Sequence, residues 1–160
     1  MVANDLPVVR AWLAAPHVRE WWGEPGEQFA LVSGDLQQRA LEQYIVMSGD
    51  RPFAYLQCYD QEAWPENGLG THPPGTRGID QFIGEPDMLG CGHGSAFIGA
   101  FVEGLLTAST PRVVTDPDPA NARAIRAYEK AGFRRQWELD TPDGRALLMT
   151  CDNPDRVTQP

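Results

Sequence analysis

The segment of residues 89–94 has the residue types that bind a phosphate through the backbone. It is Leu-Gly-Cys-Gly-His-Gly and lies between a predicted strand and a predicted helix. Glycines let backbone N–H groups approach a ligand closely, and the start of a helix carries partial positive charge. The segment therefore predicts an anion-binding turn. The alternative is a tight turn that needs glycine only for its positive φ. It is neither a Walker loop, since no Gly-Lys-Ser/Thr follows, nor a GxGxxG dinucleotide fingerprint.

A second segment, residues 116–133, carries more specific information. It is Asp-Pro-Asp-Pro-Ala-Asn-Ala-Arg-Ala-Ile-Arg-Ala-Tyr-Glu-Lys-Ala-Gly-Phe, which predicts a loop, a helix and a Gly-Phe exit after a strand. Asn121, the Tyr128 seven residues later and the closing Gly132-Phe133 stand in this order after a glycine-rich helix start. This arrangement resembles the acetyl-CoA-binding half of the GCN5-related N-acetyltransferases.

Three further segments resemble the aminoglycoside 6'-N-acetyltransferases and their siderophore-acylating relatives, and together they extend the resemblance over nearly the whole chain. They are His-Val-Arg-Glu-Trp-Trp-Gly at 17–23, Arg-Gly-Ile-Asp-Gln at 77–81 and the Asp116-Pro117 pair. Two departures stand out. The superfamily usually has Gln or Arg where Leu89 stands, so we expect backbone amides to bind the pyrophosphate. Related chains also begin with a strand before the first helix, so either the sheet lacks an edge strand or the sequence is shortened at its front.

The resemblance implies acetyl-CoA as the co-substrate and assigns its contacts to the glycine segment and the helix after it. The implied cofactor-binding residues are Leu89, Gly90, Cys91, Gly92, His93, Gly94, Ser95 and Asn121. For Asn121, helix capping is the competing explanation.

Two aspartates are candidates for the acceptor side of the reaction. A simple alkylamine has a pKa of about 10, so a carboxylate or an ordered water must accept a proton during acyl transfer. Asp80 lies in the strand that, by resemblance, bulges beside the thioester, and it is the candidate base and amine ligand; a salt bridge with Arg77 or a bulge cap is the alternative. Asp116, at the end of the next strand, could bind a second ammonium, but Asp-Pro-Asp-Pro is also a good turn and helix start.

Aromatic residues supply two more candidates. By resemblance, Tyr128 donates a proton or hydrogen bond to the departing thiolate; a core aromatic between helix and sheet is the alternative. Trp21 and Trp22 are adjacent, and a core role explains only one of them. By resemblance we take Trp22 as the platform for a sugar ring.

Other reactive residue types have no partners at a recognisable spacing. His17 and His93 lack a nearby Ser or carboxylate pattern and are not read as catalytic. Cys91 could form an acyl-enzyme, but it lies in the phosphate segment, so direct transfer is favoured. The three cysteines are widely spaced and without CxxC, which argues against a disulfide framework or a zinc site. No metal is expected.

The elements that must position these residues follow from periodicity and turn residues. We predict a mixed α/β fold, a mainly antiparallel sheet flanked by helices, as in the GCN5-related N-acetyltransferases. The predicted helices cover 5–15, 35–41, 92–106 and 119–131; the predicted strands cover 43–47, 52–59, 77–83, 111–115, 133–139 and 146–151; loops cover 20–34 and 60–76.

Composition sets the outer limits on function. The 160 residues predict one domain, 1–160, and the net charge of −9 argues against nucleic acid while allowing a cationic substrate. No apolar run reaches a membrane span and the start is unlike a signal peptide, so we expect a cytoplasmic protein without a membrane partner. The oligomeric state is left open.

Together these features predict an acetyl-CoA-dependent N-acetyltransferase that modifies a primary amine of a polycationic small molecule by direct transfer. The 6'-amine of an aminoglycoside, with antibiotic resistance as the context, is the main reading. Acylation of a hydroxylated lysine-type siderophore precursor and a non-catalytic module that binds CoA or aminoglycoside are the alternatives.

Overall fold

A computed structural model describes residues 1–107 and 109–156, and it has the predicted mixed α/β architecture. The helices are Leu6–Leu13 (α1), Pro16–Trp22 (α2), Pro25–Gly34 (α3), His93–Leu105 (α4) and Ala122–Lys130 (α5). The strands are Leu41–Ser48 (β1), Arg51–Asp60 (β2), Arg77–Ile83 (β3), Arg112–Thr115 (β4), Arg134–Thr141 (β5) and Gly144–Asp152 (β6). They form one sheet in the order β1-β2-β3-β4-β6-β5. Among the described residues no strand precedes α1.

The prediction of a loop over residues 20–34 is wrong, because most of that stretch is helical. Pro16 and Pro25 each begin a helix. Proline is well suited to the first helical position, since its fixed φ is helical and its missing N–H would have no partner there. The stretch lacks a sustained hydrophobic period and favours a loop on sequence alone, whereas both prolines begin helices. The short helix expected at 35–41 is a 3-10 turn, Asp35–Gln37.

The chain divides into two compact units, each with its own core. The first comprises residues 1–58 and 80–91. Its core contains buried residues from three helices and two strands: Val9, Trp12, Leu13, Val18, Val32, Tyr55 and Phe82. On α1 the spacing of Val9, Trp12 and Leu13 puts all three on one face of the helix. This core supports the ends of β2 and β3 that carry candidate site residues.

The second unit comprises residues 59–79 and the described residues from 92 onward. Here the beginning of β3 pairs in parallel with β4, and β6 pairs antiparallel with β4 and with β5. Helix α4 packs against α5, and Leu69, Val114 and Leu148 form a buried cluster. Parallel neighbours need a crossover connection, which α4 supplies between β3 and β4. The domain prediction of one unit over 1–160 stays a prediction.

Candidate functional site

The glycine segment adopts the backbone that its sequence predicts. Gly90 and Gly92 have φ of +71° and +84°, the left-handed region in which glycine is favoured. Gly92 is the N-cap of α4, so His93, Gly94 and Ser95 form its first turn. The N–H groups of a first helical turn have no partner within the helix. They fit an anionic group such as a pyrophosphate, and Leu89, whose backbone is extended just before the turn, adds no charge to it.

A hydrogen-bonded cluster anchors the residues immediately before this segment. Arg51 on β2 donates two hydrogen bonds of 2.8 Å to Asp87 and one of 2.9 Å to Glu85. The indole of Trp12 donates to the other oxygen of Glu85 at 2.8 Å. The hydrogen bonds from Trp12 and Arg51 hold the pKa of Glu85 below its usual range, and Arg51 does the same for the pKa of Asp87. The cluster ties the exit of β3 to α1 and β2 within the first unit.

Asn121 begins α5 as a helix cap. Its side-chain oxygen accepts a hydrogen bond of 3.1 Å from the N–H of Ala124, the N3 position that an N-cap oxygen satisfies. The capping alternative is therefore observed. Contact between Asn121 and the cofactor stays a prediction.

The Gly-Phe pair at the end of α5 has a structural reason that bears on Tyr128. Gly132, with φ of +102°, donates its N–H to the carbonyl of Glu129, and Phe133 donates its N–H to the carbonyl of Tyr128. These two bonds define a Schellman ending, in which the residue after the glycine packs against the last helical turn. The rings of Phe133 and Tyr128 pack edge to face, with 5.3 Å between their centroids. Tyr128 is 4% exposed, so its ring is held firmly while its role toward the thiolate stays a prediction.

Asp80 lies in β3 within a chain of side-chain hydrogen bonds that sequence reasoning missed. Gln57 on β2 donates from Nε2 to Asp80 Oδ2 at 2.8 Å. Tyr55, two residues earlier on the same face of β2, donates its hydroxyl to Gln57 Oε1 at 2.9 Å. The signal was present in the sequence: Tyr55 and Gln57 share one face of a strand that is otherwise largely apolar and buried. A glutamine at such a position requires polar partners.

Trp22 lies at the C-terminal end of α2 and is partly exposed. Its ring lies edge-on to the rings of Tyr55 and Phe82, and the distances between ring centroids are 5.9 Å and 4.8 Å. Tyr55 and Phe82 are themselves stacked at 5.3 Å. The first unit thus brings Trp22, Tyr55, Gln57 and Asp80 into one connected group, with Phe82 as its apolar support. Part of the Trp22 surface serves the core, and its use as a sugar platform stays a prediction.

The second unit holds the remaining candidates. Asp116 follows β4 directly and is half-buried. The acidic loop after β2 is irregular, as predicted, with two 3-10 turns, and Asp60 accepts a hydrogen bond from the N–H of Glu62 at 3.0 Å. Gly92, His93, Gly94, Ser95, Asn121 and Tyr128 belong to α4, α5 and their N-caps, the two helices that pack together.

The other reactive residue types have ordinary structural surroundings. His17 donates to the carbonyl of Ile83 at 3.0 Å. Cys58 is buried, Cys151 is half-buried and Cys91 is exposed, and all three are free thiols. Across residues 1–107 and 109–156, no group of three or more His, Cys, Asp or Glu is placed to hold a metal ion. In the same residues, no helix has the length and apolar character that crossing a bilayer requires.

Comparison with known families identifies the fold that carries this geometry. Residues 1–141 match the family described as Acetyltransferase (GNAT) domain. The chain belongs to this family. The fold and the N-acetyltransferase class predicted from residues 89–94 and 116–133 are thereby confirmed.

Individual relatives are similar over most of their length. The aminoglycoside N(6')-acetyltransferase type 1 of Klebsiella pneumoniae is 38% identical over 93% of this chain and 79% of the relative. A structure of the acetyltransferase AAC(6')-Ib in complex with ribostamycin and coenzyme A has a TM-score of 0.85 and 34% identity, covering 99% of this chain and 95% of that one. Its complex with coenzyme A and kanamycin has a TM-score of 0.83 and 36% identity, covering 95% and 91%.

Proposed function

We propose that this protein transfers the acetyl group of acetyl-CoA directly to the 6'-amine of an aminoglycoside. The observation that carries the proposal is the 38% identity, over 93% of the chain, to an aminoglycoside N(6')-acetyltransferase. Two features of the chain support the same substrate. An exposed part of an aromatic side chain, Trp22, belongs to the same connected group as the Asp80 carboxylate. That combination suits an amino sugar, whose ring has apolar faces and whose amines are cationic.

We assign the two protonic roles to Asp80 and Tyr128. Asp80 accepts the proton that the acceptor's ammonium must lose before the neutral amine can attack the thioester, because a carboxylate in hydrogen-bond reach of an amine is a suitable base. Tyr128 donates to the sulfur of coenzyme A as the thiolate leaves. The N–H groups at the start of α4 bind the pyrophosphate, and the co-substrate supplies the activated thioester.

The substrate assignment is tested by following thiol release from acetyl-CoA with a panel of acceptors. The panel contains an aminoglycoside with a 6'-amine, a matched aminoglycoside with a 6'-hydroxyl and an N-hydroxylated lysine. We expect thiol release with the 6'-amine and none above background with its hydroxyl counterpart. Preferential use of the hydroxylated lysine would instead favour siderophore acylation, and binding without thiol release would favour a sequestering module.

The protonic roles are tested by Asp80→Asn and Tyr128→Phe. Asp80→Asn keeps the shape of the side chain and removes the base, so the rate should fall by about 10²–10⁴ and recover partly at higher pH, where more of the amine is neutral. Tyr128→Phe should lower kcat without recovery at high pH, since it does not act on the amine. Single-turnover measurement keeps product release from hiding either effect. Full single-turnover activity of Asp80→Asn at neutral pH would exclude Asp80 as the base.

We also propose that the enzyme works in the cytoplasm, where acetyl-CoA is available, and protects cells from aminoglycosides. A relative that matches 48% of this chain at 49% identity is the kanamycin resistance protein of Rhizobium radiobacter. Expression in a sensitive bacterium should raise the inhibitory concentration of kanamycin. Asp80→Asn, expressed at the same level, is the control that should fail to do so.

A further inference from the structure

The hydrogen-bonded chain Tyr55–Gln57–Asp80 has a fixed direction. Burial raises the pKa of Tyr55 above its usual value and outweighs a hydrogen bond with Gln43 that lowers it, while the charges of Asp80 and Asp35 act in the same sense as burial. Tyr55 therefore stays protonated and acts as the donor to Gln57 Oε1. An ionised carboxylate only accepts hydrogen bonds, so Gln57 must present its NH₂ group to Asp80. A flipped Gln57 amide would place its oxygen against the oxygen of Asp80, at 2.8 Å in the present contact.

The first member of this chain is rigid. Tyr55 is fully buried. Its ring is stacked on the ring of Phe82 and lies edge-on to the ring of Trp22. Rotation of the phenol away from Gln57 would require the core around it to open. The hydroxyl of Tyr55 is thus a fixed reference point, and Gln57 transmits its position to one oxygen of Asp80.

From this geometry we infer that Gln57 is a positioning residue for the reaction: fixed by Tyr55, it holds the Asp80 carboxylate in the orientation that accepts the ammonium proton of the acceptor. This inference rests on the proposed function. A misplacement of about 1 Å at a reacting group can cost about a hundredfold in rate, so loss of one orienting hydrogen bond to a charged group should be visible in kcat. Gln57 acts through Asp80 and needs no contact with the substrate.

The experiment is a double-mutant cycle on the full-length chain, read by single-turnover acetyl transfer to an aminoglycoside with a 6'-amine. Gln57→Leu alone should lower the rate about ten- to a hundredfold, because that factor corresponds to the free energy of a hydrogen bond to a charged group. The same change in an Asp80→Asn background should have little further effect, because the group that Gln57 positions is no longer a base. A structural role would lower the rate in both backgrounds.

A second cycle keeps the test informative if Asp80→Asn leaves too little activity. Tyr55→Phe keeps the buried ring and removes only the hydroxyl, and we expect a loss of about three- to tenfold in the rate. Tyr55→Phe combined with Gln57→Leu should be no slower than Gln57→Leu alone, because Tyr55 acts through Gln57. Additive losses would overturn the inference.

The controls separate this inference from the proposed function. Gln136 on β5 donates its side-chain amide to Thr150 at 3.0 Å, so Gln136→Leu makes the same chemical change in the other unit and should leave the rate unchanged. The KM for acetyl-CoA should stay within about twofold in every variant, since the effect belongs to the acceptor side. If the wild-type chain transfers acetyl and Gln57→Leu keeps the full rate, the positioning role is wrong and the proposed function stands. If the wild-type chain acetylates no aminoglycoside, the proposed function is wrong.

Discussion

Replacing Gly92 by alanine tests whether the cofactor is held by backbone geometry. Gly92 has φ of +84° and a Cβ built on it would meet nothing within 4 Å, so alanine adds conformational strain without a clash. The left-handed conformation costs a residue with a Cβ about 1–2 kcal/mol. The residue is exposed, so the free protein can relax, and the strain then falls on the bound state. At 1.36 kcal/mol per factor of ten, this predicts an increase of about five- to thirtyfold in the Kd for coenzyme A.

The measurement is calorimetric titration of coenzyme A, with thermal unfolding recorded in parallel. Gly104→Ala is the matched control, since Gly104 lies in the same helix with nothing within 4 Å and no positive φ. It should leave the Kd unchanged and stabilise the fold by about 0.5–1 kcal/mol. Leu89→Ala should also leave the Kd nearly unchanged, because a side chain without charge contributes little. A Kd of Gly92→Ala equal to that of wild type would refute the backbone explanation.

Three other predictions concern charge and packing. If the net charge of −9 attracts a cationic acceptor, kcat/KM for an aminoglycoside should fall with ionic strength more steeply than kcat/KM for a mono-amine, and equal slopes would contradict this. Gly78→Ala should destabilise the fold by about 1–3 kcal/mol in urea titrations, because the new Cβ overlaps the ring of Tyr59, and Tyr59→Leu should recover part of the loss. The depressed pKa values of Glu85 and Asp87 mean that their pairing with Arg51 stabilises the fold above the ordinary carboxyl pKa range and is lost as pH falls through the folded values. Arg51→Gln should therefore lower Tm at pH 7 and not at pH 2, whereas a constant difference in Tm would contradict the pairing.

The strands were the most predictable part of the fold. Residues 77–83 match β3 at both ends, because they follow a loop rich in Pro and Gly and are ended by Gly84-Glu85-Pro86. The helices α2 and α3 could not be placed in the same way. They are short, and their starting residues Pro16 and Pro25 are the same residues that commonly end helices. Which role a proline takes depends on what the following helix can pack against, and that is a tertiary property.

The candidate site likewise has features that the sequence predicts and features that depend on tertiary structure. Local backbone chemistry was readable at Gly92, the left-handed N-cap of α4, and at Gly132, the left-handed residue that ends α5. The hydrogen bond from Gln57 to Asp80 was not readable, because it joins positions 23 residues apart and depends on the neighbouring places of β2 and β3 in the sheet. Periodicity can put a polar side chain on a buried face, but only the strand order supplies its partner.

The different exposure of the three thiols makes the glycine segment accessible to selective chemical labelling. Cys58 is buried, and burial raises the pKa of Cys151, which leaves less of it as the reactive thiolate at neutral pH. A maleimide should therefore react first with Cys91, whose sulfur lies 3.4 Å from the carbonyl oxygen of Leu89. The native chain thus offers an attachment point for a fluorophore between two left-handed glycines. Because Cys91 lies in the segment proposed to bind coenzyme A, bound coenzyme A should slow this reaction, and the labelling rate would report its occupancy without an engineered cysteine.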